Sequence, residues 1–173
     1  MNSKGVCLVS GSSSGIGAEI VTYFASQGFD IVVNYNSGQE RAEIIAAEAR
    51  KNHSVETLIV QADLSDPDAA SNLVRESYAH FGRLDYCVSN SGVANYVKDE
   101  DGNLIRHRFQ DTPTAHLEKE MQRVLSLNLL GSYRLSQSAL SVMIEQADKE
   151  RKLKQDVSHR SILFVTSISD IAP

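Results

Sequence analysis

The stretch Cys7-Leu-Val-Ser-Gly-Ser-Ser-Ser-Gly-Ile-Gly-Ala-Glu-Ile-Val21 determines how the whole chain folds. It begins within a short apolar run, residues 6–9, which is typical of a strand buried in a parallel sheet. A cluster of three glycines follows at once, and apolar side chains then recur at helical spacing. The pattern predicts a strand, a glycine-rich turn and a helix that begins inside that turn. The positions concerned are Gly11, Gly15 and Gly17 in the turn, and Ile16, Ile20 and Phe24 in the helix.

Such a strand, turn and helix can together bind a phosphate group. Glycines let the backbone approach a ligand closely, and the free N–H groups and the dipole of a helix N-terminus favour an anion. The hydroxyls of Ser12, Ser13 and Ser14 are expected to add hydrogen-bond donors. The alternative is a tight turn that needs glycine for its own geometry. The position between a strand and a helix favours nucleotide binding.

The composition is that of a globular domain. The chain has 173 residues, of which 42% are hydrophobic and 23% charged, enough for one domain with a sizeable core. The net charge of -5 and the lack of a basic run argue against nucleic acid as a partner. Without a membrane-length apolar run or a signal-peptide pattern, the protein is expected to be cytoplasmic. Cys7 and Cys87 are expected to be buried and reduced, and the five histidines show no metal-ligand spacing.

Strand-like and helix-like segments alternate along the chain, which predicts a doubly wound α/β sheet. One helix is expected to have Asp66 as its N-cap and Pro67 at its first position. The further predicted strands are residues 29–33, 55–61, 84–89 and 161–166, and the further predicted helices are residues 40–51, 67–81 and 114–147.

Two segments are additions to this plan. Residues 93–113 are longer than a usual connection in an α/β unit, and Asp101-Gly102 between apolar pairs indicates a hairpin. We expect this insert to border the substrate cleft, since it follows the fourth strand at the ligand-binding end of the sheet. Its acidic run is also similar to a calcium loop, but the ligand pattern is incomplete. Residues 148–159 are expected to be a frayed helix end and a solvated loop.

The end of the second strand bears on the choice of cofactor. In this type of fold an acidic side chain there accepts a hydrogen bond from the adenine ribose and selects NAD. The positions Asn34-Tyr-Asn-Ser37 contain no acid, which favours NADP. Arg41 lies within reach of a 2′-phosphate if it stands in the first helical turn, although it could equally be an ordinary exposed charge. The glycine loop itself carries Ser14 before Gly15, and not a basic residue.

Taken together, the motifs resemble those of the short-chain dehydrogenase/reductase family, including its 3-oxoacyl-[acyl-carrier-protein] reductases. The resemblance covers nearly all of the chain, and it implies a Rossmann-like, three-layer α/β/α fold. The matching elements are Gly11-Ser-Ser-Ser-Gly-Ile-Gly17, Asp63-Leu64, Ser89-Asn-Ser-Gly92, Asn128-Leu-Leu-Gly131 and Phe164-Val-Thr-Ser167. In the third element, serine stands where the family has its first Asn and its Ala.

The resemblance implies roles for individual residues. Ser167 and Asn128 would be catalytic, with Ser167 holding the substrate oxygen and Asn128 anchoring water in a proton relay. From the residues alone, Asp63 could be a turn residue, Asn128 a structural hydrogen-bonding amide and Ser167 a cap. The residues assigned to cofactor binding are Gly11, Ser12, Ser13, Ser14, Gly15, Ile16, Gly17, Asn34, Tyr35, Asn36, Ser37, Asp63, Leu64, Asn90, Ser91 and Gly92.

The family also uses a Tyr-x-x-x-Lys pair on the helix after the Ser strand, and no tyrosine here has Lys four places later. We therefore expect the chain to be C-terminally incomplete, without the following helix and strands, and inactive alone. Two hypotheses follow: an NAD(P)-dependent oxidoreductase acting on a small carbonyl or alcohol, or a dinucleotide-binding module without turnover. A Tyr-x-x-x-Lys downstream in the gene would separate them. The resemblance implies a homodimer or homotetramer.

Overall fold

The computed structural model describes residues 3–94, 97–98, 104–105 and 114–167. Strands and helices alternate as the sequence predicts. The strands are β1 Val6–Val9, β2 Asp30–Tyr35, β3 Thr57–Gln61, β4 Tyr86–Ser89, β5 Val97–Lys98, β6 Leu104–Ile105 and β7 Ser161–Phe164. The helices are α1 Gly15–Ser26, α2 Gln39–His53, α3 Ala69–Phe81, α4 Thr114–Val124 and α5 Ser132–Lys152, with a π-helical segment, Leu125–Gly131, joining α4 to α5.

Five parallel strands form the main sheet in the order β3-β2-β1-β4-β7. Successive side chains of β1 point to opposite faces: Leu8 packs with α3 and α5, whereas Cys7 packs with α1 and α2. Because both of its faces are covered, the central strand β1 consists wholly of buried apolar residues. This confirms the predicted three-layer, Rossmann-like fold. The chain crosses from β3 at one edge to β4 beside β1, so the strand order reverses at the carboxyl ends of β1 and β4.

The two cysteines are buried and unbridged, as predicted from their apolar surroundings. They lie in neighbouring central strands, where Leu8 is paired with Cys87. Burial raises the pKa of both thiols, that of Cys87 to about 12. Both side chains therefore remain neutral and act as small apolar residues of the core.

The predicted start of the third helix is wrong by two residues. Its N-cap is Asp68, and the helix begins at Ala69. The carboxylate of Asp66 instead accepts a hydrogen bond from the backbone N–H of Asp68 at 2.8 Å. This turn, closed by a side chain, holds Pro67 outside the helix.

The long helix predicted at residues 114–147 is present, but it continues to Lys152 and contains the π-helical segment. At the end of that segment Gly131 lies against the loop after β3: a Cβ added there would stand 2.6 Å from the carbonyl oxygen of Leu64. The helix backbone can approach this closely only at glycine.

The C-terminal end of the long helix is later than predicted. Because α5 continues to Lys152, residues 148–152 are helical, which corrects the expectation of a frayed end starting at residue 148.

The segment after α5 is tied to that helix by a half-buried ion pair. Arg160 and the backbone and hydroxyl of Ser158 all donate to the carboxylate of Glu150. Burial alone would raise the pKa of Glu150, but these hydrogen bonds outweigh it and lower the pKa to about 2. Arg160 directly precedes β7, so the ion pair sets where the edge strand enters the sheet.

The hairpin signal in the insert has a counterpart in the structure. β5 and β6 pair antiparallel, with Val97 opposite Ile105 and Lys98 opposite Leu104. Residues 99–103, which include the predicted turn Asp101-Gly102, lie outside the described residues, as does most of the rest of the insert.

Candidate functional site: the glycine loop and the carboxyl ends of the strands

The glycine loop leaves one position open and packs the other two tightly. Gly15 has a φ of 55° and opens α1, and a Cβ added there would meet nothing within 4 Å. At Gly17 an added Cβ would stand 2.5 Å from the carbonyl oxygen of Gly11. Gly17 therefore lets the helix pack on its own loop, whereas Gly15 leaves free space at the N-terminus of α1. That space is open to a phosphate group of a ligand.

The three serines of the loop do not have the same role. Ser12 is fully buried, and its hydroxyl donates to the carbonyl of Val9 and accepts from the N–H of Asn34. The expectation that this hydroxyl serves the ligand is therefore wrong, because it is committed inside the protein. Ser14 is exposed, and as the N-cap residue of α1 it makes no side-chain cap hydrogen bond. The first N–H groups of α1 are thus left available to an anion.

The end of β2 divides into a buried half and an exposed half. Asn34 and Tyr35 are buried, and Tyr35 belongs to the apolar core. The Asn34 amide accepts from the N–H of Gly11 at 3.0 Å and donates to the carbonyls of Val60 and Ala62. Because both side chains are buried, neither is exposed for direct contact with a ligand, which corrects their assignment to direct contact. Asn36 and Ser37 are exposed at the end of the strand.

The bonds of Asn34 lead to a prediction. Substituting Asn34→Asp should destabilise the fold without improving NADH binding, because aspartate can still accept from Gly11 but cannot donate to the two carbonyls. The cost is about 1–3 kcal/mol for each buried group left unpaired, with a buried charge in addition. Urea unfolding measures the loss. As a control, Ser37→Asp adds the same charge at an exposed site and should leave stability nearly unchanged. Equal stability of the two variants would contradict the prediction.

Asp63 lies in the loop after β3 and faces the end of β2. Its carboxylate accepts from the N–H and hydroxyl of Ser65 and from the side-chain amide of Asn36, at 2.9, 2.7 and 3.0 Å. The hydrogen bonds from Ser65, followed by that from Asn36, lower the pKa of Asp63 despite partial burial, so the group is ionised at neutral pH. The next residue, Leu64, is buried in the core, so its side chain positions the loop.

Sequence reasoning missed a residue that joins the two central strands. Ser10 is fully buried, and its hydroxyl accepts from the N–H groups of Asn90 and Ser91 at 2.9 and 3.0 Å. In return, the Asn90 amide donates to the carbonyls of Ser10 and Gly11. The loops after β1 and β4 therefore form one unit. A serine directly before the first glycine was the only signal in the sequence.

Asn128, at the centre of the π-helical segment, forms two hydrogen bonds with Val93 in the loop after β4. Its amide oxygen accepts from the N–H of Val93 at 2.9 Å, and its amide nitrogen donates to the carbonyl of Val93 at 2.8 Å. Gly92 lies beside this amide, and a Cβ added there would stand 3.6 Å from the amide oxygen, at ordinary van der Waals distance. π-helical turns are frequent at functional sites.

Ser167 lies three residues beyond the carboxyl end of β7. The pairing of β7 with β4 extends past the strand, because the N–H of Val165 donates to the carbonyl of Ser89. Ser167 comes two residues later and is exposed. The structure therefore gathers the glycine loop, Asp63, the residue 90–93 loop, Asn128 and Ser167 at the carboxyl ends of the strands, where α/β sheets bind ligands.

Comparisons with known proteins identify the family of this chain. The family model described as "short chain dehydrogenase" matches residues 5–151. The chain belongs to the short-chain dehydrogenase family. This confirms the resemblance drawn from the motifs.

Individual relatives are reductases and dehydrogenases by name. Elsinochrome reductase 1 of Elsinoe fawcettii is 34% identical over 134 residues, which is 78% of this chain and 45% of that protein. The 3-oxoacyl-[acyl-carrier-protein] reductase of Staphylococcus aureus is 32% identical over 139 residues, covering 80% of this chain and 50% of its own length. The chain thus spans about half the length of these curated relatives.

Solved structures share the fold. Acetoin dehydrogenase from Salmonella typhimurium matches with a TM-score of 0.75 and 25% identity, covering 100% of this chain and 58% of that one. A short-chain dehydrogenase from Burkholderia cenocepacia, solved in complex with NADP, matches with a TM-score of 0.67 and 28% identity over 79% of this chain and 49% of that one. Within the described part of the chain, no helix is long and apolar enough to cross a membrane.

Proposed function

We propose that the complete protein is an NAD(P)-dependent oxidoreductase that interconverts a small-molecule carbonyl compound and its alcohol. The observation that carries the proposal is the open position at Gly15, at the uncapped N-terminus of α1. It lies where the strand order reverses, which is the usual dinucleotide site of such sheets. The nicotinamide, when bound, supplies or accepts hydride at the carbon of the carbonyl group. The relatives named elsinochrome reductase and 3-oxoacyl-[acyl-carrier-protein] reductase support a carbonyl substrate.

The residues of this chain would bind and orient the reactants. The first N–H groups of α1 would hold the pyrophosphate, and Asp63 would accept from the adenine. Ser167 would donate a hydrogen bond to the substrate oxygen. Asn128, held by Val93, would keep the residue 90–93 loop in place beside the cofactor. A hydroxyl and an amide do not titrate near neutral pH, so proton delivery needs a further acid. We assign it to a Tyr-x-x-x-Lys pair in the part of the family's length that this chain does not span.

The function is tested by cofactor binding and turnover measured separately. The complete protein should bind NADPH and oxidise it in the presence of a carbonyl compound, and Ser167→Ala should abolish turnover while leaving NADPH affinity unchanged. Cofactor binding without turnover on any carbonyl compound would favour the alternative, a non-catalytic dinucleotide-binding module. No binding of either dinucleotide would refute both.

NADP is the favoured cofactor because two polar side chains converge in front of α2. A Cβ added at Gly38 would stand 2.6 Å from Nη2 of Arg41 and 2.9 Å from the hydroxyl oxygen of Ser13. A guanidinium and a hydroxyl that share one small space are suited to a phosphate. The neighbouring end of β2 offers Asn36 and Ser37, and neither would repel a 2′-phosphate.

Substituting Arg41→Ala should therefore raise the Kd of NADPH about tenfold or more and change that of NADH less than about twofold. Only NADPH carries the 2′-phosphate to which the guanidinium would donate a charged hydrogen bond. Titration of both cofactors measures the ratio. Lys51→Ala is the matched control, because it removes the same charge from the far end of α2. An unchanged ratio in Arg41→Ala would refute the assignment to NADP.

The insert of residues 93–113 is proposed as a flap beside the substrate. It begins at Val93, which Asn128 holds at the carboxyl end of β4, and it contains the β5–β6 pair. Deleting residues 99–103 in the complete enzyme should raise the KM for substrate and leave the Kd of the cofactor unchanged. A Gly/Ser replacement of equal length is the control for chain connectivity. A larger effect on cofactor binding would contradict the flap.

A further inference from the structure

Asn36 is tied to the end of β3 in two ways. Its side-chain amide donates to Oδ2 of Asp63 at 3.0 Å. Its carbonyl accepts from the side-chain amide of Gln61 at 2.8 Å. Asn36 itself is exposed, so these contacts contribute little to the core. They fix the end of β2 relative to the loop that carries Asp63.

The hydrogen bonds also determine how Asp63 faces a ligand. Oδ1 already accepts from both the N–H and the hydroxyl of Ser65. Asn36 occupies one acceptor position of Oδ2. A carboxylate has about four acceptor positions, so the contacts of the described residues leave one, on Oδ2. Asn36 thereby determines the direction in which the remaining lone pair points.

We propose that Asn36 is a positioning residue for base recognition: it orients the Asp63 carboxylate so that Oδ2 accepts from the 6-amino group of adenine. This inference rests on the proposed dinucleotide site and adds a selectivity to it. A base with an oxygen at position 6 offers an acceptor in place of the amine, and two acceptors repel each other. The site should therefore reject hypoxanthine, and the rejection should depend on Asn36.

The test compares NADPH with the reduced form of nicotinamide hypoxanthine dinucleotide phosphate. In this analogue an oxygen replaces the 6-amino group and N1 of the base carries a proton. The wild-type protein should bind NADPH more tightly. Asn36→Ala should weaken NADPH binding by about threefold to tenfold, the value of one hydrogen bond, and leave the affinity for the hypoxanthine analogue nearly unchanged. The selectivity would thus decrease by the same factor, whereas a merely structural role would weaken both ligands equally.

Two further variants sharpen the result. Ser37→Ala, at the next exposed position, should keep the selectivity. Asn36→Asp places a second carboxylate beside Asp63 and should weaken NADPH binding more than Asn36→Ala does. The ratio of NADPH to NADH affinity should stay constant in Asn36→Ala, which separates this residue from Arg41. Full selectivity in Asn36→Ala would overturn the inference alone, whereas a wild-type protein that binds neither dinucleotide would overturn the proposed function.

Discussion

Substituting Gly15→Val is expected to weaken the binding of both NADPH and NADH, with an increase in Kd of roughly 100-fold, or about 2.7 kcal/mol. The Cβ of the new side chain would enter the open space at the start of α1, where it would meet no other part of the chain within 4 Å. The valine methyl groups would thus occupy the volume that a pyrophosphate needs. Isothermal calorimetry on the wild-type and variant proteins measures the loss.

The chain contains a matched control for the strain of this substitution. Gly82, at the C-terminal end of α3, also has a left-handed φ, of 70°, and an added Cβ there meets nothing within 4 Å. Gly82→Val should cost about 1–2 kcal/mol of stability, as Gly15→Val should, because both force a branched residue into the left-handed region. It should leave cofactor affinity unchanged, since Gly82 precedes β4 at the amino end of the sheet. Unaltered cofactor binding in Gly15→Val would refute the phosphate site.

The sheet and its glycine loop could be predicted from sequence because local signals coincide there. The apolar run of β1 is continuous since both faces are covered, and the glycines follow it directly. The offset at α3 has a local cause that propensity does not reveal. Asp66, Pro67 and Asp68 are all good residues for a helix start, and only the bond from the Asp68 N–H to Asp66 decides between them.

The site was less predictable because its organisation depends on contacts distant in sequence. Asn34 belongs to a polar run that predicts exposure, yet the alternation of β2 turns it toward Gly11 and the end of β3. Ser10 bonds to residues 80 and 81 positions away. Gly131, at the end of the π-helical segment, packs closely against Leu64, which is distant in sequence. Such contacts form only once the sheet has assembled, so local patterns in a single sequence do not predict them.

Residues 1–173 expressed alone are expected to associate through the apolar groove between α1 and β7. The groove has a volume of about 450 Å³, and Val88 lies within it. Tyr23 is 62% exposed on the α1 side, and Leu163 and Phe164 are 42% and 56% exposed on β7. β7 is also the last strand of the described sheet, so the groove borders an edge at which another chain can pair.

A second apolar surface runs along the long helix, where Met121, Leu125, Leu129 and Tyr133 recur every four residues and are 45–62% exposed. We propose this stripe as the homo-oligomer contact of the complete protein, as the family resemblance suggests. The stripe serves as a comparison for the groove, because substitutions in one surface leave the residues of the other unchanged. The exposed positions also make lysine substitutions inexpensive for folding.

The expected result for the 173-residue protein is concentration-dependent association in light scattering, together with binding of an apolar dye. The pair Tyr23→Lys and Leu163→Lys should reduce both signals, because charges at an edge strand block pairing with a second chain. The pair Leu129→Lys and Tyr133→Lys should leave dye binding at the groove intact in the 173-residue protein, and should dissociate an oligomer formed through the stripe. A wild-type 173-residue protein that is monomeric and melts cooperatively would show that the groove and strand edge do not drive association.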